Sequence, residues 1–398
     1  MKLLIHSSEF PPGPGGIGVQ AHNLAKELVR LGWEIKVVTV QSYADKPEVE
    51  AFNDAQPFEV DQVPEIHPAW REGLRRLSVV RSAIREWCPD VVMASGQRAL
   101  WVAAFAGPRE RVPWVGIVHG TELDSRKGWV RAATRFALRR ARAIAVVSRH
   151  SAGYLRRLGV SGVPSVVIGN GADPLQFRRL PATAIAEFKE RHDLVGSRLI
   201  LTVGNLTARK GQEVVIRALP EVLHRLPDVR YLMAGLPTES VRLQELADDL
   251  KVGHAVRFLG RLSDRQLVAA YNACDVFAMT SQHTTTGDFE GYGIAVVEAA
   301  LCGKPAVVTG DSGLEEAVVD GETAIVVPQS DPKATAEALK SLLEDTSLSI
   351  RLGTAARERA LAGQTWSSRA AEYDQLLRTV SGDSATADDL RVDLEALD

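Results

Sequence analysis

Short β-rich runs alternate with longer helical patterns from the start of the chain, and this alternation limits the possible folds more than any other feature. A Pro/Gly loop at 11–18 separates the first predicted strand from an amphipathic helix at 19–31. Single strands that alternate with helices predict a parallel sheet covered on both faces. In the N-terminal half we predict strands at 2–6, 34–40, 91–94, 114–119, 143–147 and 165–168.

The same pattern restarts in the C-terminal half, where helices are predicted at 211–225 and 293–301. At 398 residues the chain is long for one domain and suits two. We therefore expect an α/β protein made of two Rossmann-like, doubly wound domains. The strands of the second domain are predicted at 199–203, 230–234, 256–259, 275–279, 305–308 and 324–327.

Weak periodicity at 173–196, interrupted by two prolines, marks the predicted domain boundary. We place the N-terminal domain at 1–180 and the C-terminal domain at 197–363, and we expect a helix at 364–380 to cross back to the N-terminal domain. The tail at 381–398 carries six acids and one arginine, which predicts a solvated, disordered segment. Docking of this tail elsewhere on the protein is the alternative.

Cysteine content and hydropathy exclude several classes of protein. The three cysteines, Cys88, Cys274 and Cys302, are far apart, so neither a disulfide framework nor a metal-ligand spacing can be built from them. The first residues lack the apolar length and the cleavage site of a signal peptide. No run reaches the roughly 18 consecutive apolar residues that span a bilayer. We expect a cytoplasmic protein that is not integral to a membrane.

Two strand-to-helix connections in the N-terminal half carry candidate site residues. Gly15 and Gly16 allow a ligand to approach the backbone in front of a helix N-terminus, which favours an anion. His119 ends a predicted strand, and ligands of open α/β sheets bind at the carboxyl ends of strands. The alternatives are a plain flexible turn at 11–18 and a histidine that is bonded only to loop backbone.

A third connection, at 203–213, places Arg209 and Lys210 before a helix N-terminus. Two cations oppose the helix dipole at that position unless an anion binds there. A diphosphate would supply the anion, through charge-assisted hydrogen bonds of roughly 1.5–3 kcal/mol each. A solvated Arg-Lys pair is the alternative.

The segment around Glu290 and Glu298 is the most specific feature of the chain. Glu290 directly precedes a glycine-rich helix start, and Glu298 lies eight residues further on, about 12 Å along a helix. That length matches the distance from a sugar across a diphosphate to a ribose. The alternatives are a helix-terminal carboxylate and an ordinary surface acid. The residues whose backbone suits phosphate oxygens are Gly291, Tyr292, Gly293, Ile294 and Ala295.

These four sites, in this order, resemble the GT4 family of retaining glycosyltransferases, which has the GT-B fold. The resemblance covers about residues 1–378 and includes the strand end at 275–281 and the segments at 170–173 and 312–318. It implies two Rossmann-like domains that face a central cleft. The first domain is then the acceptor-binding domain and the second binds a nucleotide sugar.

The resemblance also implies roles for individual residues. His119 and Glu290 are implied to be catalytic, beside the transferred sugar, while Lys210 would hold the diphosphate and Glu298 the ribose. The segment 257–261 would lie against the base. The implied donor-binding residues are Gly15, Gly16, Asn205, Arg209, Lys210, Phe258, Arg261, Glu290, Gly291, Tyr292, Gly293, Ile294, Ala295 and Glu298.

One position departs from the family pattern. Many relatives carry an arginine where this chain has Asn205, and that arginine helps to hold the diphosphate. Three explanations stay open at this point: Arg209 compensates, the affinity for the donor is lower, or the donor differs.

The implied reaction is transfer of a hexose from GDP-mannose or a UDP-hexose to a hydroxyl of a lipid-linked or glycan acceptor. No carboxylate is an obvious covalent nucleophile, so the family picture is a front-face displacement in which the leaving diphosphate helps to deprotonate the acceptor. No D-x-D triplet occurs in the sequence, and we expect neither a metal nor another cofactor. A nucleic-acid partner is not expected. An epimerase, a phosphorylase or a non-catalytic nucleotide-sugar-binding protein is the alternative.

Charge is distributed unevenly and predicts a further partner. Residues 1–195 hold 27 Lys and Arg against 20 Asp and Glu, whereas the remainder holds 20 against 30. Basic amphipathic helices, predicted within 126–149 and near 69–87, can rest on anionic lipid, which predicts peripheral contact with the inner face of the cell membrane. A solvated face with arginine stems over the core is the alternative. The predicted contact residues are Arg131, Arg135, Arg139 and Arg142, and the second helix adds Arg71, Arg75, Arg76, Arg81 and Arg85.

Overall fold

The computed structural model describes residues 1–13, 15–42, 44–64, 69–120, 122–125 and 127–382. The chain forms two compact units. Met1–Gly171 joins with the chain from Trp366 onward, and Ala172–Thr365 forms the second unit. The acidic tail at 383–398 lies outside the described residues, so its disorder stays a prediction.

The first unit is a parallel sheet with helices between its strands. Its described strands are β1 (Lys2–Ser7), β2 (Glu34–Thr39), β3 (Glu59–Gln62), β4 (Val91–Ser95), β5 (Trp114–Val118), β6 (Ala143–Val146) and β7 (Ser165–Val167). Its helices within Met1–Gly171 are α1 (Gly16–Arg30), α2 (Lys46–Asp54), α3 (Ala69–Trp87), α4 (Gln97–Glu110), α5 (Gly128–Leu138) and α6 (Arg149–Arg157).

The strand order of this sheet is β3-β2-β1-β4-β5-β6-β7, and every described pair is parallel. The order reverses between β1 and β4, which is where a doubly wound sheet opens a crevice for ligands. The central strands are buried, because helices cover both faces, and they therefore read as continuous apolar runs. The predicted strands are present, with ends that differ by one or two residues.

The sequence analysis missed β3 at Glu59–Gln62. This strand is polar and largely exposed, and it pairs only with β2 at the sheet edge. Its sequence, EVDQ, has too few apolar residues to give a strand signal. The first helix begins at Gly16 rather than at residue 19, since the glycine-rich loop already contributes its first turn.

The second unit repeats this architecture with a smaller sheet of order β10-β9-β8-β11-β12-β13. Its described strands are β8 (Arg198–Val203), β9 (Val229–Ala234), β10 (Val256–Gly260), β11 (Val276–Met279), β12 (Ala306–Thr309) and β13 (Ala324–Val327). Its helices are α7 (Ala182–Arg191), α8 (Gln212–Arg225), α9 (Ser240–Asp249), α10 (Asp264–Ala273), α11 (Ile294–Leu301), α12 (Pro332–Glu344) and α13 (Thr346–Gly363).

All described strand pairs of the second sheet are parallel, and its order reverses between β8 and β11. The predicted fold class, two Rossmann-like α/β domains, is therefore confirmed. Segments that follow β8 and β11 meet at the carboxyl edge of this sheet, the position where a ligand of such a fold binds.

The segment between the two sheets is more ordered than its weak periodicity suggested. Residues 182–191 form α7, and Pro181 stands immediately before it, where a proline is tolerated. The backbone amide of Leu180 donates to the Asn272 side chain, whose amide donates in turn to the Arg178 carbonyl. These bonds tie residues 172–180, which the sequence analysis put in the N-terminal domain, to α10 of the second unit.

The last described helix, α14 (Trp366–Ser381), belongs to the first unit, where it lies against α1. The indole of Trp33 donates to the Asp374 carboxylate at 2.6 Å, and Arg378 pairs with the same carboxylate. Gln20 on α1 also donates a buried hydrogen bond to the side chain of Asn170, near the end of the segment Met1–Gly171.

Candidate functional site

The cations of the second unit stand on a tight turn after β8. Ala208–Lys210 forms one turn of 3-10 helix, and α8 begins two residues beyond it. The stem of Lys210 crosses Gly204, where an added Cβ would lie 3.1 Å from Cε of the lysine. Gly211 has a φ of +67° and lies so close to Thr280 that an added Cβ would be 1.8 Å from the Thr280 carbonyl oxygen. Glycine at position 204 therefore leaves room for the Lys210 side chain over the end of β8. Glycine at position 211 lets the turn that carries Lys210 pack against Thr280.

Glu290 lies directly against both cations. Its Oε2 is 2.7 Å from Nζ of Lys210 and also accepts a hydrogen bond from Nη1 of Arg209. Asp288 adds a weaker contact at 3.6 Å to the Arg209 guanidinium. Glu290 is 8% exposed, and a buried charge of this kind is costly unless it is paired. The four side chains therefore form one charged cluster.

The electrostatics of the cluster keep Glu290 ionised. Burial by itself raises the pKa of this carboxyl, but the charges of Arg209 and Lys210 and their hydrogen bonds outweigh burial and lower the pKa to about 2. Burial lowers the pKa of Lys210, against the attraction of Glu290. The result is a carboxylate that accepts hydrogen bonds at any physiological pH, beside two donors that suit phosphate oxygens.

The glycine-rich segment after Glu290 runs into α11, but the helix starts later than predicted. It begins at Ile294, with Gly293 as the residue before its first turn at a φ of +86°. Tyr292 therefore precedes the helix, and of the predicted residues only Ile294 and Ala295 lie in its first turn. The Gly291 carbonyl lies so close to Gly313 that an added Cβ there would be 1.9 Å from its oxygen, and this fixes the segment against the chain after β12.

Glu298 lies on α11 and is half-buried. Its Oε2 accepts a hydrogen bond of 2.6 Å from the hydroxyl of Tyr271. Burial raises the pKa of Glu298 to about 7, opposed by the Tyr271 hydrogen bond and by the charge of Lys210. The sequence analysis missed Tyr271, because the two residues stand on different helices, and only the apolar surroundings of Glu298 indicated that it needs a partner.

Asn205 occupies the position where the family pattern has an arginine. Its side-chain oxygen accepts from the Leu236 amide at 3.4 Å, so it joins the loop after β8 to the loop after β9. Phe258 on β10 is half-buried and packs against the hydrophobic core, and Arg261 is exposed just beyond that strand. Contact of Phe258 and Arg261 with a base stays a prediction.

Gly15 and Gly16 lie at the N-terminus of α1 in the first unit. Glu9 reaches this turn: a Cβ added at Gly15 would lie 2.1 Å from a Glu9 carboxylate oxygen. Burial raises the pKa of Glu9. A larger residue at position 15 would displace this side chain, so the glycine is needed for the close approach of Glu9.

His119 follows β5, next to the β1/β4 reversal of the first sheet. Its Nε2 lies 2.8 Å from Oγ of Ser95, at the end of β4. Its backbone amide donates to the carboxyl of Glu122, which is 2% exposed. Burial raises the pKa of Glu122 to about 7. The sequence analysis missed Ser95 and Glu122, although the acid three residues after a strand-end histidine was a usable signal.

The predicted arginine face is only partly present. The helix α5 ends at Leu138, so it carries Arg131 and Arg135, while Arg139 stands at its C-cap and Arg142 lies beyond it. The four arginines are exposed but do not share one helical face, because the helix stops before the pattern is complete.

The second basic helix is present over the predicted residues, as α3. However, Arg76 is buried against Glu72 at the core side, and Arg81 and Arg85 pair with Glu110. The prediction that Arg76 lies on the basic face of this helix is therefore wrong. No helix in the described ranges is both long and apolar enough to cross a membrane.

Two family models match the chain, one in each unit. The model described as "Glycosyl transferase 4-like domain" matches residues 15–171, and the model described as "Glycosyl transferases group 1" matches residues 185–359. The two family matches and the two parallel sheets together define a glycosyltransferase with the GT-B fold.

Similarity to curated proteins extends over almost the whole chain. A Mycolicibacterium smegmatis protein, named GDP-mannose-dependent alpha-(1-6)-phosphatidylinositol monomannoside mannosyltransferase, is 32% identical over 94% of this chain and 98% of its own length. The D-inositol 3-phosphate glycosyltransferase of Corynebacterium diphtheriae is 30% identical, over 97% of this chain and 95% of its own length. The chain belongs to the GT4 family of glycosyltransferases. These findings do not favour the epimerase, phosphorylase or non-catalytic alternatives.

Solved structures share the fold at lower identity. The Anabaena protein HepE, in complex with UDP and glucose, superposes with a TM-score of 0.80 at 22% identity, over 95% of this chain and 100% of its own. WaaG, a glycosyltransferase involved in lipopolysaccharide biosynthesis, gives a TM-score of 0.73 at 18% identity, over 96% of this chain and 100% of its own. Both support the GT-B fold.

His119 is expected to stay uncharged throughout the physiological range. Burial lowers its pKa to about 3, so the proton is already lost at every pH above that value. An NMR titration of the ring signals between about pH 5 and 8, where ordinary histidines titrate, should show no midpoint for His119. The His119→Gln variant assigns the signal. A midpoint near the ordinary value would contradict the lowered pKa of His119.

Proposed function

We propose that the chain transfers a hexose, with retention of anomeric configuration, from GDP-mannose or a UDP-hexose to a hydroxyl of a lipid-linked or glycan acceptor. The observation that carries this proposal is the buried cluster of Glu290, Arg209 and Lys210. Two cations match the charge of a diphosphate, and a carboxylate that stays ionised accepts hydrogen bonds from sugar hydroxyls. The direct test is an incubation with each candidate donor and a lipid-linked acceptor, followed by analysis of the product.

The names of the relatives support this choice of substrates. One is named for GDP-mannose and a phosphatidylinositol monomannoside, and another for D-inositol 3-phosphate. A structural neighbour was solved with UDP and glucose. We therefore keep both nucleotides as donor candidates. NMR of the product would reveal the configuration of the new bond, and an inverted anomeric centre would contradict retention.

Catalysis, in this proposal, rests on stabilising the leaving group. As the bond between the sugar and the diphosphate breaks, negative charge grows on the leaving phosphate, where Lys210 and Arg209 donate hydrogen bonds. The leaving phosphate accepts the proton of the acceptor hydroxyl on the same face of the sugar. Oε1 of Glu290 accepts from a sugar hydroxyl. These groups act by position and charge.

We propose further that no metal is required. The sequence contains no D-x-D triplet, and the two cations of the cluster can neutralise a diphosphate directly. In place of the missing family arginine at Asn205, Arg209 supplies the second positive charge, since its guanidinium already lies on Glu290.

Lys210→Ala is expected to weaken binding of GDP or UDP by roughly 1.5–3 kcal/mol, the scale of a hydrogen bond between charged groups. Binding of the bare nucleosides should not change, because they carry no phosphate. Calorimetry in EDTA measures the binding of the nucleosides and of the nucleoside diphosphates, and it also tests whether binding requires a metal. The matched control is Lys340→Ala, which removes a lysine of α12 that pairs with Glu221 and Glu337. Equal losses for nucleoside and diphosphate would mean that Lys210 acts through folding.

Contact with a membrane is the second part of the proposal, and a row of aromatic side chains in the first unit favours it. We call this row the aromatic seam; it consists of Trp101 and Phe105 of α4 with Trp129 and Phe136 of α5. Trp101 and Trp129 have ring centroids 5.8 Å apart, and Phe105 and Phe136 are 5.7 Å apart. Trp129 is 65% exposed, Phe105 55% and Phe136 42%.

The seam combines apolar area with positive charge. The guanidinium of Arg140 lies 4.2 Å from the centroid of the Phe136 ring, and Arg131, Arg135 and Arg139 are exposed on or beside the same helix. Residues 126–149 contain no acid. Aromatic rings suit the lipid interface and arginines attract anionic headgroups. The occupant that fits this surface is therefore an anionic bilayer.

The double variant Phe105→Ser with Trp129→Ser is expected to lose at least about tenfold in binding to anionic vesicles, because each exposed ring contributes roughly 1–2 kcal/mol of burial. Co-sedimentation with vesicles of phosphatidylcholine, with and without phosphatidylglycerol, measures this. Binding of the unmodified chain should weaken in high salt. Ile350→Ser, which changes an equally exposed residue of the second unit, is the control. Unchanged binding of the double variant, or equal binding to neutral vesicles, would contradict the proposed contact.

A further inference from the structure

Tyr271 on α10 points its hydroxyl at Glu298 on α11. The side chain is fully buried, and the hydroxyl donates to Oε2 of Glu298 at 2.6 Å. Phe177 meets the tyrosine ring edge-on at 5.7 Å between centroids, and Phe277 lies at 5.7 Å on another side. Because two aromatic rings fix the tyrosine, its hydroxyl holds one oxygen of the Glu298 carboxyl at a defined position.

The other groups around Glu298 determine how strongly its ionisation depends on the hydrogen bond from Tyr271. Lys210 favours the ionised carboxylate, whereas Asp264 and burial oppose it, and Cys302 also faces it. The balance leaves the pKa of Glu298 at about 7. At neutral pH the carboxyl is therefore close to its midpoint, and the Tyr271 hydrogen bond, which lowers this pKa, sets the fraction that is ionised.

We infer that Tyr271 is a positioning residue that orients Glu298 toward the two hydroxyls of the donor's ribose. The inference rests on the proposed function, in which Glu298 binds the ribose. An ionised carboxylate has about four acceptor sites, so one bond from Tyr271 leaves capacity for both ribose hydroxyls. Glu298 as a whole residue is only half-buried. Tyr271 itself, fully buried, touches no ligand and acts through Glu298.

The test is calorimetry of GDP and UDP with Tyr271→Phe, which removes the hydroxyl and keeps the ring. The affinity at pH 7 should fall about tenfold, the scale of one hydrogen bond to a charged group. Loss of the bond raises the pKa of Glu298 further, and only the ionised form accepts from both hydroxyls. The pH at which binding reaches half its maximum should therefore move upward in the variant, and the deficit should shrink at high pH.

Two controls separate this role from a structural one. Tyr231→Phe removes another buried hydroxyl of the same unit, which bonds to Thr202 at 2.8 Å, and it should leave affinity and pH profile unchanged. The 2′,3′-dideoxy nucleoside diphosphates lack both ribose hydroxyls. They should bind equally well to the unmodified chain and to Tyr271→Phe.

The outcomes distinguish a failure of the role of Tyr271 from a failure of the proposed function. Unchanged affinity for GDP and UDP in Tyr271→Phe, or the same loss for the dideoxy compounds, would overturn the role of Tyr271 while the proposed function stands. If the unmodified chain binds neither GDP nor UDP at any pH, the proposed function fails first, and the role of Tyr271 falls with it.

Discussion

The pairing of Glu290 with Arg209 and Lys210 is the interaction on which the site of the second unit depends. It joins the turn after β8 to the segment before α11, which are 80 residues apart in sequence and adjacent only at the carboxyl edge of the sheet. A carboxylate this deeply buried would be destabilising without its two cations. The cations in turn would repel each other without the carboxylate. Each side chain is therefore held in place by the others.

The two units use their sheets in the same way but with different chemistry. Each sheet reverses its strand order near the middle, and the candidate residues follow strands at or next to that reversal. In the first unit these are the half-buried, uncharged His119 with Ser95 and the Glu122 carboxyl, whose pKa burial raises to about 7. In the second unit they include the ionised Glu290 with its cations Arg209 and Lys210. This contrast agrees with the division that the family resemblance implies, with the acceptor at the first unit and the anionic donor at the second.

Local sequence patterns predicted most of the fold because the central strands are short, apolar and covered on both faces. These patterns failed where a strand was only partly buried or where a helix was shorter than predicted. The edge strand β3 is polar and gave no signal, and Arg139 and Arg142 follow a helix that ends at Leu138. A periodic pattern identifies a face only while the helix continues, and nothing local marked its end.

The candidate site was predicted as a set of positions but not as a set of contacts. The glycine-rich segments and the spacing of the two glutamates identified Lys210, Glu290 and Glu298 from the chain alone. Their partners required the fold: Tyr271 reaches Glu298 across two helices, and the Asn205 oxygen accepts from the amide of Leu236, in the loop after β9. Such contacts depend on how helices, strands and loops pack together. A local stretch of sequence carries no information about that packing.

The most direct measurement of the central claim is the rate of sugar transfer by Glu290→Gln, which keeps the size of the side chain but removes its charge. Glu213→Gln, a change in a half-buried glutamate that pairs with Arg217 and Arg242, is the control. The account predicts a loss of about a hundredfold or more in the Glu290 variant, since both sugar contact and cation placement depend on the charge, with folding retained by circular dichroism. Transfer at a near-normal rate by the folded Glu290→Gln protein would contradict it.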